Sequence, residues 1–190
     1  MTEVNKPKSK VINRQKFDNS WYNPGPFWKR TLWHYVSIVF FENGWFPFYK
    51  VKATILRIFG AKIGKDFGIK PSVKIKYPWF LDIGDHVRIG EAVWIDNLAK
   101  VTLKDNVTIS QGAMLLTGNH NYKSEGFDLM LDEIVVNEGA WLCSMSRVGP
   151  GVEIGRNAIL SLSAVTTQNL QEDGIYAGNP AVFLKSRIIN

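Results

Sequence analysis

The chain of 190 residues is 45% hydrophobic and 21% charged, which is ordinary for a globular protein and sufficient for one domain with a sizeable core. Its formal net charge of +6 favours an anionic ligand or surface. However, no helix-turn-helix, zinc-finger or RNA-binding signature accompanies the basic residues, and we expect no nucleic-acid partner. The single cysteine, Cys143, excludes a disulfide within the chain and favours a reducing compartment, so the expected location is cytoplasmic.

The first 26 residues are polar and aperiodic, and they lack the apolar run of a signal peptide, which predicts an extended, partly mobile arm. The next segment, residues 27–48, is rich in aromatic side chains: Phe27, Trp28, Trp33, Tyr35, Phe40, Phe41, Trp45, Phe46 and Phe48. Its apolar part, residues 32–41, is too short to span a bilayer, so these rings need another cover. We expect a helix packed on the main body or on a neighbouring subunit. The alternative is a peripheral contact at the inner face of the membrane.

A second helix is predicted over residues 49–59. Val51, Ile55 and Ile58 share one face there, and Gly60 follows as a stop signal. Because the pattern changes directly after this glycine, we expect the helix to cap one end of the structure that follows.

From Ile63 onward an aliphatic residue returns every six positions, a spacing that belongs neither to an α-helix nor to a heptad. The positions in phase are Ile63, Ile69, Ile75, then Ile83, Ile89, Ile95, Val101, then Leu103, Ile109, Leu115, and finally Val136, Leu142, Val148, Ile154 and Leu160. Each hexad predicts one short strand and a corner made by the small residue after the aliphatic one. Three hexads close a triangular coil of about 18 residues, and the slips of two residues form small bulges in corners. The sequence therefore predicts an all-β fold, a parallel β-helix, in preference to a β-sandwich with coincidental spacing. The tail after Pro180 is expected to close its far end.

The stretch LLTGNHNYKSEGFDLMLDE, residues 115–133, interrupts this spacing and carries His120 near its beginning. We expect residues 117–133 to project as a loop over a neighbouring face, since loops on a rigid scaffold commonly hold function. An imidazole suits proton transfer near neutral pH, which makes His120 a candidate general base. The alternative is an ordinary histidine of a surface loop.

Four segments carry a resemblance to a known family: FGAKIGKDFGIKPSVKIKYPWFLDIGDHVRIG, VTISQGAMLLTGNHNY, GAWLCSMSRVGPGVEIGRNAIL and YAGNPAVF. In this order they resemble the hexapeptide-repeat acyltransferases, within them the maltose/galactoside O-acetyltransferase branch, and more closely the colanic-acid-type exopolysaccharide acetyltransferases. The resemblance covers about residues 55–185 and implies a left-handed β-helix, whose hand periodicity alone does not reveal. It implies an N-terminal arm and helical cap (1–60), a β-helical acetyltransferase domain (61–180) and a C-terminal tail (181–190).

The resemblance also implies roles for residues around the interruption. His120 falls where the family places its catalytic histidine. Asp96 and Asn97 align with a sugar-binding acidic stretch, and Trp94 is placed to stack on a sugar ring. Asp132 is placed to bond the acceptor or orient the base. The alternative for Asp96 and Asn97 is a simple corner, because both residue types favour turns, and for Asp132 it is a solvated loop acid.

Acetyl-CoA is the acyl donor that the resemblance implies, bound along the later coils between the subunits of a homotrimer. Its expected contacts are Trp141, Ser144, Leu162, Thr167, Gln168 and Lys185, the last beside a CoA phosphate. The chain departs from the family pattern at Leu142-Cys143, Ser161-Leu162-Ser163 and Val182. The larger Leu162 narrows the expected slot, and Val182 replaces a cation.

No metal is expected. A zinc centre like that of the related β-helical carbonic anhydrases needs three converging imidazoles, and His34 lies ahead of the coils. The predicted function is acetyl transfer from acetyl-CoA to a sugar hydroxyl during bacterial surface or exocellular polysaccharide synthesis. Two alternatives remain open: N-acetylation of an amino-sugar nucleotide, and an inactive β-helix that serves as a scaffold or membrane-surface module.

Overall fold

The computed structural model describes residues 10–190, so residues 1–9 of the predicted arm lie outside the described residues. From residue 10 the chain passes through a short 3-10 turn, Arg14–Lys16, and Asn13 Oδ1 caps this turn by accepting from the Gln15 N–H at 3.1 Å. Tyr22 then joins the segment to the body of the molecule, because its hydroxyl donates to the carbonyl of Leu98 at 2.8 Å.

Two α-helices and a π-helical turn follow the arm: α1 (Phe27–Ser37), the π-helical turn (Ile38–Glu42) and α2 (Tyr49–Ile58). Trp33 and Phe41 are buried in the hydrophobic core, and the indole N–H of Trp33 donates to the Ile75 carbonyl at 2.9 Å. For these two rings the expected packing on the main body is confirmed. Within residues 10–190, no helix combines the length and the apolar character that crossing a membrane requires.

The buried face of α2 differs from the predicted one. The spacing of Val51, Ile55 and Ile58 predicts an apolar face, but Ile58 is 76% exposed. The helix instead buries Lys52 and Leu56 and contacts the first two strands of the body. The helix therefore caps the end of the coils as predicted, on a face rotated from the expected one.

Lys52 explains this rotation. A periodicity argument assigns a lysine to the polar face, but the side chain of Lys52 is fully buried. Its Nζ donates to the Lys70 carbonyl at 3.3 Å and lies 5.7 Å from the centroid of the Phe41 ring. The methylene stem of a lysine packs like an apolar side chain when the amine finds such partners. Desolvation lowers the pKa of the Lys52 amine.

Five coils of three short strands form the body, with a hairpin between the third and fourth coils. In chain order the strands are β1 (Lys62–Ile63), β2 (Gly68–Ile69), β3 (Lys74–Ile75), β4 (Leu81–Ile83), β5 (Arg88–Ile89), β6 (Trp94–Asp96), β7 (Val101–Leu103), β8 (Thr108–Ile109), β9 (Met114–Leu116), the hairpin strands β10 (Gly118–His120) and β11 (Leu129–Leu131), then β12 (Ile134–Val136), β13 (Trp141–Leu142), β14 (Arg147–Val148), β15 (Glu153–Ile154), β16 (Ile159–Leu160), β17 (Val165–Thr166), β18 (Gly174–Gly178) and β19 (Ala181–Ser186). The last two pair antiparallel, so β19 in the tail extends the second face at the far end.

Corresponding strands of successive coils pair in parallel, which gives the body three faces. The first face is β1-β4-β7-β12-β15, the second is β2-β5-β8-β13-β16-β18-β19, and the third is β3-β6-β9-β14-β17. We call the edge between the second and third faces the second corner. The edge at which the chain passes from the third face back to the first is the third corner. The predicted parallel β-helix is confirmed.

The aliphatic residues of the repeat fill the interior in register, and Ile83, Leu103 and Val136 are paired neighbours in one column of the first face. The spacing predicts that the slips of two residues form small bulges in corners, and this prediction is wrong. Val101 and Leu103 are both buried, because β7 has three residues and alternate residues of a strand point to the same side. The two extra residues therefore lengthen a first-face strand by one inward position.

The corners that follow the first and second faces are made three residues after the inward aliphatic residue, where the backbone has a positive φ, as at Asn106 (60°) after Leu103. Other residues with this spacing and conformation are Asp66, His86, Ala92, Met145, Asn157 and Ser163. The small residue directly after the aliphatic one has another purpose, since a Cβ at Gly90 would lie 2.6 Å from the Gln111 backbone nitrogen of the next coil. The expectation that this small residue makes the turn is corrected: it lets coils stack.

Candidate active site

The excursion at residues 117–133 leaves the body at the third corner, after β9, and returns at β12. It is a β-hairpin and not an irregular loop, since β10 and β11 pair antiparallel and place His120 opposite Leu129. A Cβ at Gly118 would lie 2.8 Å from Leu98 Cδ1, so a larger residue at the base of the hairpin would have to displace the Leu98 side chain. The predicted excursion is confirmed, and His120 lies on the strand that leaves the third face.

His120 is held by the turn of its own hairpin. Its Nδ1 lies 2.9 Å from the carbonyl oxygen of Phe127, and the two rings stack with centroids 4.5 Å apart and planes 9° apart. A carbonyl oxygen only accepts hydrogen bonds, so Nδ1 of the neutral ring carries the proton and Nε2 carries the free lone pair. His120 can therefore accept a proton at Nε2, while Phe127 fixes the tautomer and the plane of the ring.

The turn that presents Phe127 is closed by its own hydrogen bonds. Phe127 has a φ of 55° and its N–H donates to the Ser124 carbonyl at 3.1 Å. The Ser124 hydroxyl donates to Asp128 Oδ2 at 2.7 Å, and the Asn121 N–H donates to the Asp128 carbonyl at 2.8 Å. A non-glycine residue keeps such a backbone only where its surroundings hold it. Nothing in the sixfold spacing singles out Phe127, and its one signal is a large apolar side chain in a polar turn.

A further support for the hairpin comes from residues 10–22, which we call the N-terminal strap. The Asn13 N–H donates to the Glu125 carbonyl at 2.8 Å, and Lys16 Nζ lies 2.9 Å from Glu125 Oε2. The hydrogen bond from Lys16 lowers the pKa of the Glu125 carboxyl. From residue 10 onward the predicted mobile arm is thus joined to the hairpin that carries His120.

Two strap side chains complete an aromatic cluster around the imidazole. The Phe17 ring lies 6.1 Å from the ring of His120, and the Arg14 guanidinium lies 5.7 Å from the centroid of Phe17 and 5.5 Å from that of Phe127. The approach is close, because a Cβ at Gly126 would lie 2.7 Å from a carbonyl oxygen of the strap. The cluster restricts rotation of the His120 ring.

Asn97, expected to bind the acceptor, has a structural role instead. It is 0% exposed, its Oδ1 accepts from the Tyr77 N–H at 3.1 Å, and its Nδ2 donates to the Tyr77 carbonyl at 2.7 Å. Both ends of the amide are therefore used between two successive coils. This is the corner that the sequence offered as the alternative, and the amide has no free group for a sugar.

Asp96, Trp94 and Asp132 keep accessible positions. Trp94 and Asp96 alternate with a buried isoleucine in β6, so both point outward from the third face. The Asp96 carbonyl accepts from the Thr117 hydroxyl at 3.0 Å, and the Asp132 N–H donates to the Thr117 carbonyl at 3.0 Å. Asp96 and Asp132 therefore both lie beside Thr117 at the third corner, from which the hairpin with His120 projects. Trp94 also lines a cleft of about 320 Å³ beside α1.

Three of the six residues expected to hold the acyl donor lie at or beside the second corner, away from the hairpin. Trp141 begins β13 on the second face, where its indole N–H donates to the Ser110 hydroxyl at 2.9 Å. Ser144 and Leu162 lie at the second corner in successive coils, and Leu162 is 69% exposed. The other three expected contacts lie elsewhere: Thr167 and Gln168 at the third corner and Lys185 on β19. Because side chains fill the prism, one chain cannot bring Leu162 and His120 together.

Cys143 and the three histidines mark no further reactive centre. Burial raises the pKa of the Cys143 thiol, which disfavours the nucleophilic thiolate. His34 lies on α1, His86 at a corner of the coils and His120 on the hairpin. In the part of the chain from residue 10 to 190, no three His, Cys, Asp or Glu side chains come together as a metal site requires.

Several rings of the helical end stay exposed: Phe27, Trp28, Tyr35, Trp45 and Phe48. That a neighbouring subunit or a membrane surface covers them stays a prediction. Flotation of the full chain with anionic phospholipid vesicles checks it. If the full chain floats with the vesicles and deletion of residues 1–48 abolishes this, the membrane is favoured. If the full chain does not float with them, the neighbouring subunit is favoured.

Comparison with known proteins gives a consistent result. No family model matches the chain. It is 38% identical over 162 residues to the putative colanic acid biosynthesis acetyltransferase WcaF of Escherichia coli K12. The match covers 84% of this chain and 88% of that protein. It is 24% identical over 133 residues to the galactoside O-acetyltransferase of the same organism, covering 68% of this chain and 65% of that protein.

Solved structures share the fold. The maltose O-acetyltransferase from Clostridium difficile 630 superposes with a TM-score of 0.77 at 18% identity, covering 85% of this chain and 87% of that chain. A hexapeptide-repeat acetyltransferase from Vibrio cholerae O1 biovar eltor, complexed with acetyl coenzyme A, gives 0.76 at 19% identity, covering 85% and 88%. These matches confirm the predicted left-handed β-helix. With the long match to the colanic acid enzyme, they show that this chain belongs to the hexapeptide-repeat acetyltransferases.

Proposed function

We propose that this protein transfers the acetyl group of acetyl-CoA to a saccharide hydroxyl in the synthesis of a bacterial surface or exocellular polysaccharide. The observation that carries the proposal is the 2.9 Å contact between His120 Nδ1 and the Phe127 carbonyl, which leaves Nε2 as a base. Family membership supports the reaction class, and the relatives named for colanic acid and galactosides support a sugar acceptor.

The reaction needs one proton acceptor. His120 Nε2 removes the proton of the acceptor hydroxyl as its oxygen attacks the carbonyl carbon of the thioester. The new C–O bond gives a tetrahedral oxyanion, for which backbone N–H groups are suitable donors. Collapse of the oxyanion breaks the C–S bond, and the imidazolium returns its proton to the departing sulfur. The products are an acetyl ester and CoA, and no covalent intermediate with the enzyme forms.

For the acceptor we assign contacts to Asp96 and Asp132, at the third corner from which the hairpin with His120 projects, and to Trp94 on the adjoining face. The two carboxylates can accept hydrogen bonds from sugar hydroxyls. The indole of Trp94 offers an apolar surface to the C–H side of a sugar ring. Asn97 is left out, because both ends of its amide are bonded to Tyr77.

For the donor we assign Ser144 and Leu162, at the second corner of a neighbouring protomer, and Trp141 on the adjoining second face. The solved Vibrio cholerae relative in complex with acetyl coenzyme A supports this choice of donor. Thr167 and Gln168 continue the third corner two coils beyond the hairpin, roughly 10 Å away at the usual strand spacing. Lys185, on β19, is assigned to a CoA phosphate. The proposal therefore requires an oligomer, and a cyclic trimer satisfies it with three equivalent sites.

Incubation of the purified protein with acetyl-CoA and a panel of saccharides tests the function. We expect CoA thiol to appear only with the correct acceptor, together with an acetylated product that mild alkali cleaves. A product that survives alkali would be an amide and would favour transfer to an amino-sugar nucleotide. Calorimetry that detects no binding of CoA would favour the inactive scaffold instead.

A further inference from the structure

A groove of about 590 Å³ lies between the N-terminal strap, the first face and the base of the hairpin. Trp21 and Tyr22 line it on the strap side, Asp82 on the first face, and Leu131 and Asp132 on the hairpin side. Its volume falls within the range of about 300–1,000 Å³ that is typical of small-molecule sites. The groove is distinct from the cleft beside α1 that Trp94 lines.

The hairpin register connects this groove to His120. His120 is paired with Leu129 and Gly118 with Leu131, so Leu131 lies two residues, roughly 7 Å, along the strand from the position opposite the imidazole. Directly paired residues, and alternate residues of one strand, project from the same side of a sheet. Leu98 and Leu131 both lie close to the position that a Cβ on Gly118 would occupy. That position is on the same side of the hairpin as the side chain of His120. The groove and the imidazole therefore share one side of the hairpin.

The N-terminal strap runs from the imidazole of His120 to the groove. Phe17 contacts the ring of His120, and four residues later Trp21 lines the groove with 58% of its surface exposed. Tyr22 anchors this end, because its partly buried hydroxyl donates to the Leu98 carbonyl at 2.8 Å. A large exposed indole beside an anchored tyrosine offers a platform for an apolar ring surface.

The charges of the groove favour a neutral ligand. Two lysines face three carboxylates, namely Lys62 and Lys100 against Asp82, Asp132 and Glu133. Lys62 Nζ lies 3.8 Å and Lys100 Nζ 3.6 Å from Asp82 Oδ2, so both cations share a partner within the protein. The cleft beside α1 differs, with Arg30, Lys74 and Lys76 against Glu42. A diphosphate would find no unpaired cation cluster in the groove, whereas hydroxyl groups would find both donors and acceptors.

We propose that this groove binds the sugar units next to the one that is acetylated. The acceptor is then an oligosaccharide of uncharged units, and neither a free monosaccharide nor a nucleotide sugar. One unit places its hydroxyl at His120, and its neighbours lie along the strap with a ring face on Trp21. This inference rests on the proposed function and specifies its substrate.

The test compares acceptors of increasing length. The organism's extracellular polysaccharide is de-acetylated, partially hydrolysed and sorted into fractions of one to four sugar units, and UDP-galactose serves as the nucleotide-sugar probe. For the wild type we expect kcat/KM to rise with length and to exceed the value for UDP-galactose. The Trp21→Ala variant should lower the ratio of kcat/KM for four units to that for one unit about tenfold, because an apolar contact and a ring contact are lost.

Trp28→Ala is the matched control, since Trp28 is a 66% exposed tryptophan on α1 outside the groove. It should leave the ratio at the wild-type value, and thermal melts should show both variants folded. An unchanged ratio in Trp21→Ala, an equal fall in Trp28→Ala, or a preference for UDP-galactose would overturn the groove as an oligosaccharide site while leaving acetyl transfer intact. If no fraction of any length accepts an acetyl group, the proposed function itself is overturned.

Discussion

Replacement of His120 by alanine is expected to lower kcat for acetyl transfer by about 10²–10⁴-fold, the usual contribution of a positioned general base. The reason is geometric. The Phe127 carbonyl holds the proton on Nδ1, so Nε2 is the basic atom of the His120 ring, and alanine removes it. KM for acetyl-CoA should change little, because the donor is assigned to another corner of the prism. Initial rates of thiol release, measured with the best saccharide acceptor, check this.

The matched control is His86→Asn. His86 is exposed, lies 3.2 Å from an Asp66 carboxylate oxygen and has a φ of 60°, which asparagine tolerates well. This variant should keep wild-type turnover. If His120→Ala also keeps it on the true acceptor, His120 is not the base, and the mechanism has to be assigned to another group.

The parts of this structure that the sequence predicts are those governed by local repetition. A residue such as Leu103 returns at the same phase in each coil and meets its equivalents above and below, so one sixfold count locates the whole interior column. The break in that count predicts the excursion and with it His120. Left-handedness came from the resemblance, since both hands bury the same residues.

Residues whose environment comes from another coil are predicted less well. The sequence predicts Asn97 at an exposed corner or sugar site, but both ends of its amide are hydrogen-bonded to the backbone of Tyr77, one coil earlier. Lys52 is expected on the polar face, but its amine donates a hydrogen bond to a backbone carbonyl of the first coil. In both cases a hydrogen-bond partner distant in the chain reverses the usual preference of a polar side chain for water.

The N-terminal strap is the largest feature that the sequence does not predict. Lys16 and Glu125 are 109 residues apart, and no periodic signal connects them. The strap brings Phe17 to the ring of His120 and Trp21 to the groove beside the hairpin. A segment that composition describes as an arm thus supports both the expected base and the proposed acceptor groove.

His120 projects from the third corner and Leu162 lies at the second, and this separation leads to a second prediction with a large expected effect on turnover. His120→Ala lacks the base, and Leu162→Glu places a bulky carboxylate at the second corner, where it should obstruct and repel the donor. Leu162 is 69% exposed, so the substitution leaves the core intact. Each variant alone should be nearly inactive. In a mixed trimer one interface of three combines an intact His120 from one protomer with an intact second corner from the next, so we expect about one third of wild-type turnover.

Co-expression of the two variants with different affinity tags, followed by purification on both tags, isolates the mixed assemblies for this measurement. Ile58→Glu is a suitable control for the added charge, because Ile58 is likewise exposed but lies on α2 at the opposite end of the prism. It should be fully active alone. Mixed assemblies as inactive as their parents would mean that base and donor are held by the same protomer. A fully active Leu162→Glu variant would instead mean that Leu162 has no part in binding the donor, which would then have to reach His120 along the third corner, past Thr167 and Gln168.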